Sequence, residues 1–273
     1  MASNDNNTAE LIHKLSKDLA NQRALLIDRY PNARNSLRLM LSAMGITSVH
    51  SASNSADVLR QVKANHFDMI LADYLLEDGR DSQQLLEELR QQHLVPLSTV
   101  FFLITSERAY HNVVSIAELA LDDYLIKPFT IDELQGRLIR ALYKKRFFSP
   151  LFDSLDNGAY AEALVICERL VAQNNGFLFD ALRFKGEILN ALGRHNEAEA
   201  VYQQVLAQRL VPWARMGLAI ALRGQNQLPE AEVIGETLIE EFPEFLAAYD
   251  FLAAIKEQLD KLPNAQEVLE RAT

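Results

Sequence analysis

Short apolar runs that each end in a polar side chain alternate with longer amphipathic stretches through the first half of the chain. The clearest runs cover residues 24–28, 68–73, 100–105 and 124–127, and a weaker run covers residues 48–52. Apolar runs of this length, separated by stretches with helical periodicity, are typical of βα units that bury a parallel sheet between two layers of helices. The pattern therefore predicts an α/β fold with a five-stranded parallel sheet, and one of its helices is predicted over residues 107–120.

The residues that end these runs share one predicted location. Asp28, Asp73, Thr105 and Lys127 each close a separate strand. Open α/β sheets place their reactive groups at the carboxyl ends of the strands, so folding gathers these four side chains at one edge. Taken singly, each has a structural interpretation, such as a helix cap for Asp28 or a surface charge for Lys127. Together, a hydroxyl and an ammonium around two carboxylates suit phosphoryl transfer to a carboxylate.

At this point the chain resembles the receiver domain of two-component response regulators. The resemblance covers residues 23–146 and rests on the strands ending in Asp28, Asp73 and Thr105 and on Lys127-Pro128-Phe129, in the order of that family. It implies a flavodoxin-like, doubly wound domain with strand order 2-1-3-4-5. It also implies a cis peptide bond before Pro128, since cis bonds are nearly confined to proline.

The resemblance also implies roles for the residues at this edge. Asp73 is the expected phosphoacceptor, supplied by a sensor histidine kinase or a phosphotransfer protein, and Mg²⁺ is expected on Asp28 and Asp73. Thr105 is expected to bind a phosphoryl oxygen and Lys127 to balance its charge. Tyr124 occupies the place of a switch residue whose rotamer follows the state of the threonine.

One position departs from the family pattern. Receivers carry two adjacent acids after the first strand, and this chain has Asp28-Arg29. A unit charge 4 Å away contributes about 4 kcal/mol at an effective dielectric constant of ~20, so a guanidinium facing the site weakens or abolishes Mg²⁺ binding. Either Arg29 points away or holds the phosphoryl group itself, or the chain is a phosphorylation-independent scaffold with a degenerate receiver.

The second half of the chain is repetitive. Ala163, Ala198, Ala231 and Ala265 each stand near a predicted helix start, at separations of 35, 33 and 34 residues. A helix–turn–helix unit of about this length resembles the tetratricopeptide repeat, which stacks into an α-solenoid that binds proteins. The resemblance covers residues 147–273, about four helix pairs. Family register places Arg183, Glu187 and Asn190 in the partner groove, although plain solvated side chains are an equal alternative.

The ends and the joint of the domains carry further expectations. Residues 1–22 are predicted to be a polar tail and a short helix with Leu11, Ile12, Leu15 and Leu19 on one face. A new helix is predicted to start at Ser149-Pro150, with no flexible linker before it. The fourth repeat is expected to be incomplete at Thr273, so that the natural chain continues or forms a homodimer. The side chains expected to be partly uncovered there are Leu252, Ile255, Leu259, Val268 and Leu269.

Composition limits the class of protein. The formal net charge is −10, and residues 146–273 carry 11 basic against 19 acidic side chains, which disfavours nucleic acid as a partner. Cys167 is the single cysteine, so no internal disulfide forms. We expect neither a membrane span nor a signal sequence, and we therefore expect a cytoplasmic protein. With no further catalytic motif, we expect protein–protein output and not an enzyme.

Overall fold

The computed structural model describes residues 19–106, 122–173, 176–243 and 245–271. The predicted N-terminal helix and the helix predicted over residues 107–120 therefore lie outside the described residues, apart from a 3-10 turn at Leu19–Asn21. The chain divides after Asp156 into two compact units. We describe each unit by itself.

The first unit contains a five-stranded parallel sheet in the order β2-β1-β3-β4-β5. Its strands are β1 Arg23–Ile27, β2 Ser48–Ala52, β3 Met69–Ala72, β4 Val100–Thr105 and β5 Asp123–Ile126. Its described helices are α1 Pro31–Ala43, α2 Ser55–Ala64, α3 Ser82–Gln91 and α4 Ile131–Asp156. The predicted strand order and the flavodoxin-like, doubly wound architecture are confirmed.

Side chains from alternate strand positions pack on opposite faces of this sheet. On one face Leu26 and Phe102 contact α1 and α4, and on the other face Ile70 and Phe101 contact α2 and α3. Strands that are apolar on both faces follow from this arrangement, because helices cover both sides of a parallel sheet. The loops at the carboxyl ends of the strands are then the part of the sheet left open for a site.

Helix α4 runs without a break from Ile131 to Asp156, with Pro150 inside it. The predicted helix start at Ser149-Pro150 is therefore wrong, and the expected domain boundary at 146/147 falls within a helix. An internal proline removes one helical hydrogen bond and costs about 3 kcal/mol. Phe148, Leu151 and Phe152 are at most 3% exposed, and their burial offsets that cost.

The described residues of the second unit form helices that contact their neighbours in chain order. They are α5 Tyr160–Gln173, α6 Leu178–Ala191, α7 His195–Leu206, α8 Pro212–Gly224, α9 Leu228–Glu241, α10 Leu246–Gln258 and α11 Leu262–Arg271. Ala163, Ala198, Ala231 and Ala265 each lie in the first turns of a helix and are at most 3% exposed. The predicted helix starts near these four alanines are thus confirmed.

An aromatic side chain fills the space between α6 and α8. Tyr202 of α7 is 2% exposed, and a Cβ built on Gly186 would lie 2.6 Å from its ring. On the other side, a Cβ built on Gly217 would lie 2.2 Å from the same ring. The two glycines therefore permit a helix spacing that alanine would prevent.

The last helices are better covered than the sequence suggests. Leu252 and Ile255 are 0% exposed and Val268 is 4% exposed, so the expectation of uncovered apolar side chains is wrong for these three. They pack in clusters with residues of α9, such as Leu238 and Ala231. Leu269 is 42% exposed, as expected for an outer position.

Within the described parts of the chain, none of the helices is sufficiently long and apolar to span a membrane.

Candidate functional site

Strand register brings the predicted site residues together at the carboxyl edge of the sheet. Ile27 pairs with Ala72, so Asp28 and Asp73, the next residue on each strand, emerge side by side. Thr105 pairs with Ile126, which places it beside Lys127. Backbone bonds continue this register into the site, because Asp73 N donates to Ile27 O at 2.7 Å and Lys127 N donates to Thr105 O at 2.8 Å.

The ammonium group of Lys127 links the two carboxylates. Its Nζ lies 2.9 Å from Asp28 Oδ2 and 3.4 Å from Asp73 Oδ2. Asp28 is 1% exposed, whereas the side chain of Asp73 is 14% exposed and that of Lys127 is 24% exposed. The site is thus a buried carboxylate, a partly open carboxylate and one cation between them.

Backbone groups hold the second oxygen of each carboxylate. Tyr30 N donates to Asp28 Oδ1 at 2.8 Å, and Tyr74 N donates to Asp73 Oδ1 at 2.9 Å. Such bonds fix the carboxylate planes and satisfy part of their charge. The orientation of both groups is therefore set before any ligand binds.

Two further residues, which the sequence analysis did not identify, hold the backbone of Asp73 and Asp28 by hydrogen bonds. Ser82 Oγ donates to the backbone oxygen of Asp73, and Arg34 Nη1 donates to the backbone oxygen of Asp28. Ser82 begins α3 and is 1% exposed. Serine is a residue type that helix starts favour, so the sequence carried a signal for the first contact. The contact of Arg34, six residues from Asp28, had no comparable signal.

The environment of Asp73 disfavours its charged form. Burial raises the pKa of its carboxyl above the ordinary aspartate value, and the nearby charge of Asp28 raises it further. The ammonium of Lys127 and the hydrogen bond from Tyr74 act in the opposite direction. Without Lys127, two adjacent carboxylates would face each other with no cation between them.

Thr105 and Tyr124 lie on the neighbouring strands β4 and β5. Thr105 is 2% exposed and ends β4, while Tyr124 is half-buried on β5, where it pairs with Leu103. The peptide bond between Lys127 and Pro128 is cis, as the sequence predicted. Thr105 and Lys127 therefore lie at the same strand edge as Asp28 and Asp73, and Tyr124 lies three residues before Lys127 on β5.

Comparison with known families agrees with this geometry. Residues 24–139 match the family model of the response regulator receiver domain. This segment is a receiver domain.

Curated relatives align over more than the receiver domain. The transcriptional regulatory protein CpxR of Escherichia coli K12 is 28% identical over 205 residues, which cover 71% of this chain and 83% of that protein. CpxR of Shigella flexneri gives the same values. The alignment therefore also includes residues after the receiver domain.

Solved receiver structures are also similar to part of the chain. The response regulator TrrA of Thermotoga maritima, solved in complex with Mg²⁺ and BeF, is 24% identical, covers 44% of this chain and 99% of its own, and has a TM-score of 0.38. The chemotaxis response regulator CheY4 of Vibrio cholerae is 21% identical, covers 44% of this chain and 98% of its own, and has a TM-score of 0.40.

Arg29, where the receiver domain departs from its family, is turned to its neighbour. Its guanidinium carbon lies 4.9 Å from the centroid of the Tyr30 ring, and the residue is exposed. A cation over an aromatic face is a favourable contact of about 0.5–1 kcal/mol at an exposed position. The guanidinium of Arg29 thus packs on Tyr30, which fits the alternative in which Arg29 points away from the site.

The donor set of the receiver domain suits a magnesium ion held by few protein ligands. No group of three or more acidic, histidine or cysteine side chains suited to a metal occurs among the described residues. Mg²⁺ is usually bound by one or two carboxylates, with water and phosphate oxygens completing the octahedron. Asp28 and Asp73 supply two carboxylates, so the residues present fit this mode, with one acid fewer than the family pattern.

The three predicted groove residues of the second unit differ in their contacts. Arg183 Nε lies 2.9 Å from Glu187 Oε1, an ion pair along α6. Asn190 Nδ2 donates to Gly217 O at 3.1 Å, and its Oδ1 lies 3.2 Å from His195 Nδ1. The amide of Asn190 thus ties three helices together, whereas Arg183 and Glu187 form an ion pair along one helix.

Proposed function

We propose that the chain is a two-component response regulator that takes a phosphoryl group on Asp73 and signals by protein–protein contact. The observation that carries this proposal is the position of Lys127 between Asp28 and Asp73 at the carboxyl edge of a receiver sheet. A sensor histidine kinase or a phosphotransfer protein would supply the phosphoryl group.

The proposed reaction uses the side chains in place. A carboxylate oxygen of Asp73 forms a bond to phosphorus while the bond from phosphorus to the donor histidine nitrogen breaks. The ammonium of Lys127 balances charge on the transferred group, and the hydroxyl of Thr105 donates to one of its oxygens. When bound, Mg²⁺ supplies neutralisation of the phosphoryl charge, and Asp28 and Asp73 would hold it.

The proposed output uses the second unit as a set of tetratricopeptide repeats. The regular alanine spacing and the packing of Tyr202 against Gly186 and Gly217 support this assignment. Arg183, Glu187 and Asn190 are the proposed groove residues, and the unit has no role for catalysis in this proposal. A response of Tyr124 to the state of Thr105 would report phosphorylation to the rest of the receiver.

Phosphorylation with acetyl phosphate and Mg²⁺, followed by intact-mass spectrometry, tests this function. We expect addition of one phosphoryl group to the wild-type protein and none to Asp73→Asn. Asp78→Asn is the matched control, because Asp78 is an exposed aspartate that bonds to Ser55 N and not to the site. Phosphorylation of Asp73→Asn, or loss of phosphorylation in Asp78→Asn, would contradict the assignment.

A phosphorylation-independent scaffold is the second candidate. The specific observation in its favour is Arg29 in place of an acid, which leaves two carboxylates for a metal and one ammonium between them. In this case the wild-type protein gains no mass with any small phosphodonor, and partner binding is identical in wild type and Asp73→Asn.

A further inference from the structure

Ser82 holds the peptide groups on both sides of Tyr74, the residue that follows Asp73. Its Oγ donates to the backbone oxygen of Asp73, and its backbone N donates to the backbone oxygen of Tyr74 at 2.9 Å. On the other side, Asp73 N donates to Ile27 O at 2.7 Å. The main chain is therefore fixed by hydrogen bonds before and after Asp73, and Ser82 supplies those that come after it.

The peptide group between Asp73 and Tyr74 passes this restraint on to the carboxylate. A trans peptide is planar, so its C=O and N–H point in opposite directions and rotate together. With the oxygen of Asp73 held by Ser82, the N–H of Tyr74 points to the other side, where it donates to Asp73 Oδ1 at 2.9 Å. A hydroxyl nine positions away in the chain thus determines the direction of an N–H that binds the carboxylate.

The same contact distinguishes the two oxygens of Asp73. Oδ1 accepts the hydrogen bond from Tyr74, whereas Oδ2 lies 3.4 Å from Lys127 Nζ. Because Oδ1 is held, the carboxylate plane is fixed and Oδ2 stays directed towards the ammonium. The position of a reacting atom affects the rate strongly, since a misplacement of about 1 Å can cost ~100-fold.

Ser82 is itself held in place by helix α3. It is the first residue of this helix and is 1% exposed. Three leucines of the helix pack in the core cluster on one face of the sheet and are at most 4% exposed, namely Leu85, Leu86 and Leu89. A hydroxyl at the buried start of a packed helix is restrained by the core, so it can restrain the loop after β3 in turn.

We propose that Ser82 is a positioning residue for the phosphoacceptor. Through the peptide group between Asp73 and Tyr74, it keeps the Tyr74 N–H on Oδ1 and presents Oδ2 to the phosphoryl donor. This inference rests on the proposed function of Asp73. In the step that Ser82 assists, Oδ2 forms the bond to phosphorus, while the bond from phosphorus to the leaving group breaks and its electron pair stays with that group. Ser82 takes no proton in this step and acts through the backbone.

The rate of phosphorylation by acetyl phosphate with Mg²⁺, followed by intact mass, tests the role in the reaction, with acetate as the leaving group. Ser82→Ala should lower this rate about threefold to tenfold, the factor that corresponds to one neutral hydrogen bond. Ser82→Cys fills the same space with a much weaker donor, so it preserves the packing and should also react more slowly. Ser154→Ala is the matched control and should react at the wild-type rate. Ser154 is 8% exposed, and its Oγ donates to Pro150 O within α4 at 3.2 Å.

Carbon NMR of the Asp73 carboxyl without a phosphodonor measures the same contact independently of the reaction. The hydrogen bond from Tyr74 lowers the pKa of Asp73, so its weakening in Ser82→Ala should raise that pKa. Ser154→Ala should leave the pKa unchanged. A purely structural role of Ser82 would lower the stability of the variant and leave this titration where it is in wild type.

The two measurements separate this inference from the proposed function. No mass increase in the wild-type protein would contradict the proposed function, and the pKa of Asp73 would still decide whether Ser82 positions the carboxylate. If the wild type is phosphorylated, an unchanged rate or an unchanged pKa in Ser82→Ala would overturn the positioning role. A Ser82→Cys variant that reacts at the wild-type rate would assign the effect to packing and would overturn it too.

Discussion

The ring of Tyr202 occupies the space in which a side chain on Gly217 would begin, since a Cβ there would lie 2.2 Å from the ring carbon Cζ. Both residues are buried, since Tyr202 is 2% exposed and Gly217 lies among the buried residues of α8. One side chain thus determines how closely two helices on either side of it can pack.

Gly217→Ala should destabilise the second unit. The added methyl group overpacks a filled core, which costs about 1–3 kcal/mol, although alanine favours a helix more than glycine does. The free energy of unfolding in urea measures this change. Gly136→Ala is the control, because a Cβ on that helical glycine meets nothing within 4 Å, so the variant should be as stable as wild type or more so. A stable Gly217→Ala would contradict the packing described for Tyr202.

Arg29→Asp should increase the affinity for Mg²⁺. The change removes a positive charge next to Asp28 and adds a carboxylate that can bind the ion. Isothermal titration in low salt measures the affinity, since screening weakens exposed charges. Arg60→Asp on α2 is the control, because its guanidinium pairs with Asp57 away from the site. Equal affinity in Arg29→Asp and wild type would show that position 29 does not reach the metal.

The carboxyl group of Asp73 should titrate at a higher pH than an ordinary aspartate. In the proposed reaction the ionised form of Asp73 is the nucleophile. As the pH decreases, the fraction of this form falls at a higher pH than for a solvated carboxylate, because the pKa is raised. Carbon NMR of the side-chain carboxyl measures the pKa without metal. Asp28→Asn removes a charge that raises this pKa and should move the titration of Asp73 to lower pH. A shift to higher pH would reverse the electrostatic account given for the pair.

Stability should depend on pH through Lys145. The folded protein releases this proton near pH 8, whereas the unfolded chain holds it to about pH 10.5. Unfolding therefore takes up a proton between these values, and the free energy of unfolding rises with pH across this window. The full window corresponds to about 3 kcal/mol.

Comparison with Lys145→Met isolates this contribution. The methionine variant lacks the titrating group, so the difference in stability between wild type and variant should change in favour of wild type from pH 8 to pH 10. Denaturant unfolding at several pH values gives the difference. Two curves that stay parallel over this range would mean that Lys145 does not titrate there.

The sequence could predict the receiver site because each of its side chains lies at the end of a strand. Asp28, Asp73, Thr105 and Lys127 each follow or close an apolar run, and parallel pairing alone brings such positions to one edge. No contact had to be known in advance. The direction of Arg29 could not be predicted, since it depends on a contact with Tyr30 and not on the register of a strand.

Long-range contacts explain what the sequence did not indicate. Pro150 is a local signal for a helix start, but the buried side chains around it keep α4 continuous. Similarly, Lys145 is part of the basic run of residues 144–146, and such a run is typical of an exposed surface. The structure instead buries Lys145 against Asp122, 23 positions away in the chain. Burial by residues distant in sequence overrides local propensity in both cases.

The continuity of α4 has a consequence for the modularity of this protein. Phe148, Leu151 and Phe152 belong to the first unit although they follow the segment that matches the receiver family, which ends at residue 139. A receiver transplanted from another regulator and joined at the family boundary would divide α4 before these buried side chains. Recombination between regulators would therefore keep α4 intact only if the crossover fell after Asp156. The receiver and the last turns of α4 would then be inherited together.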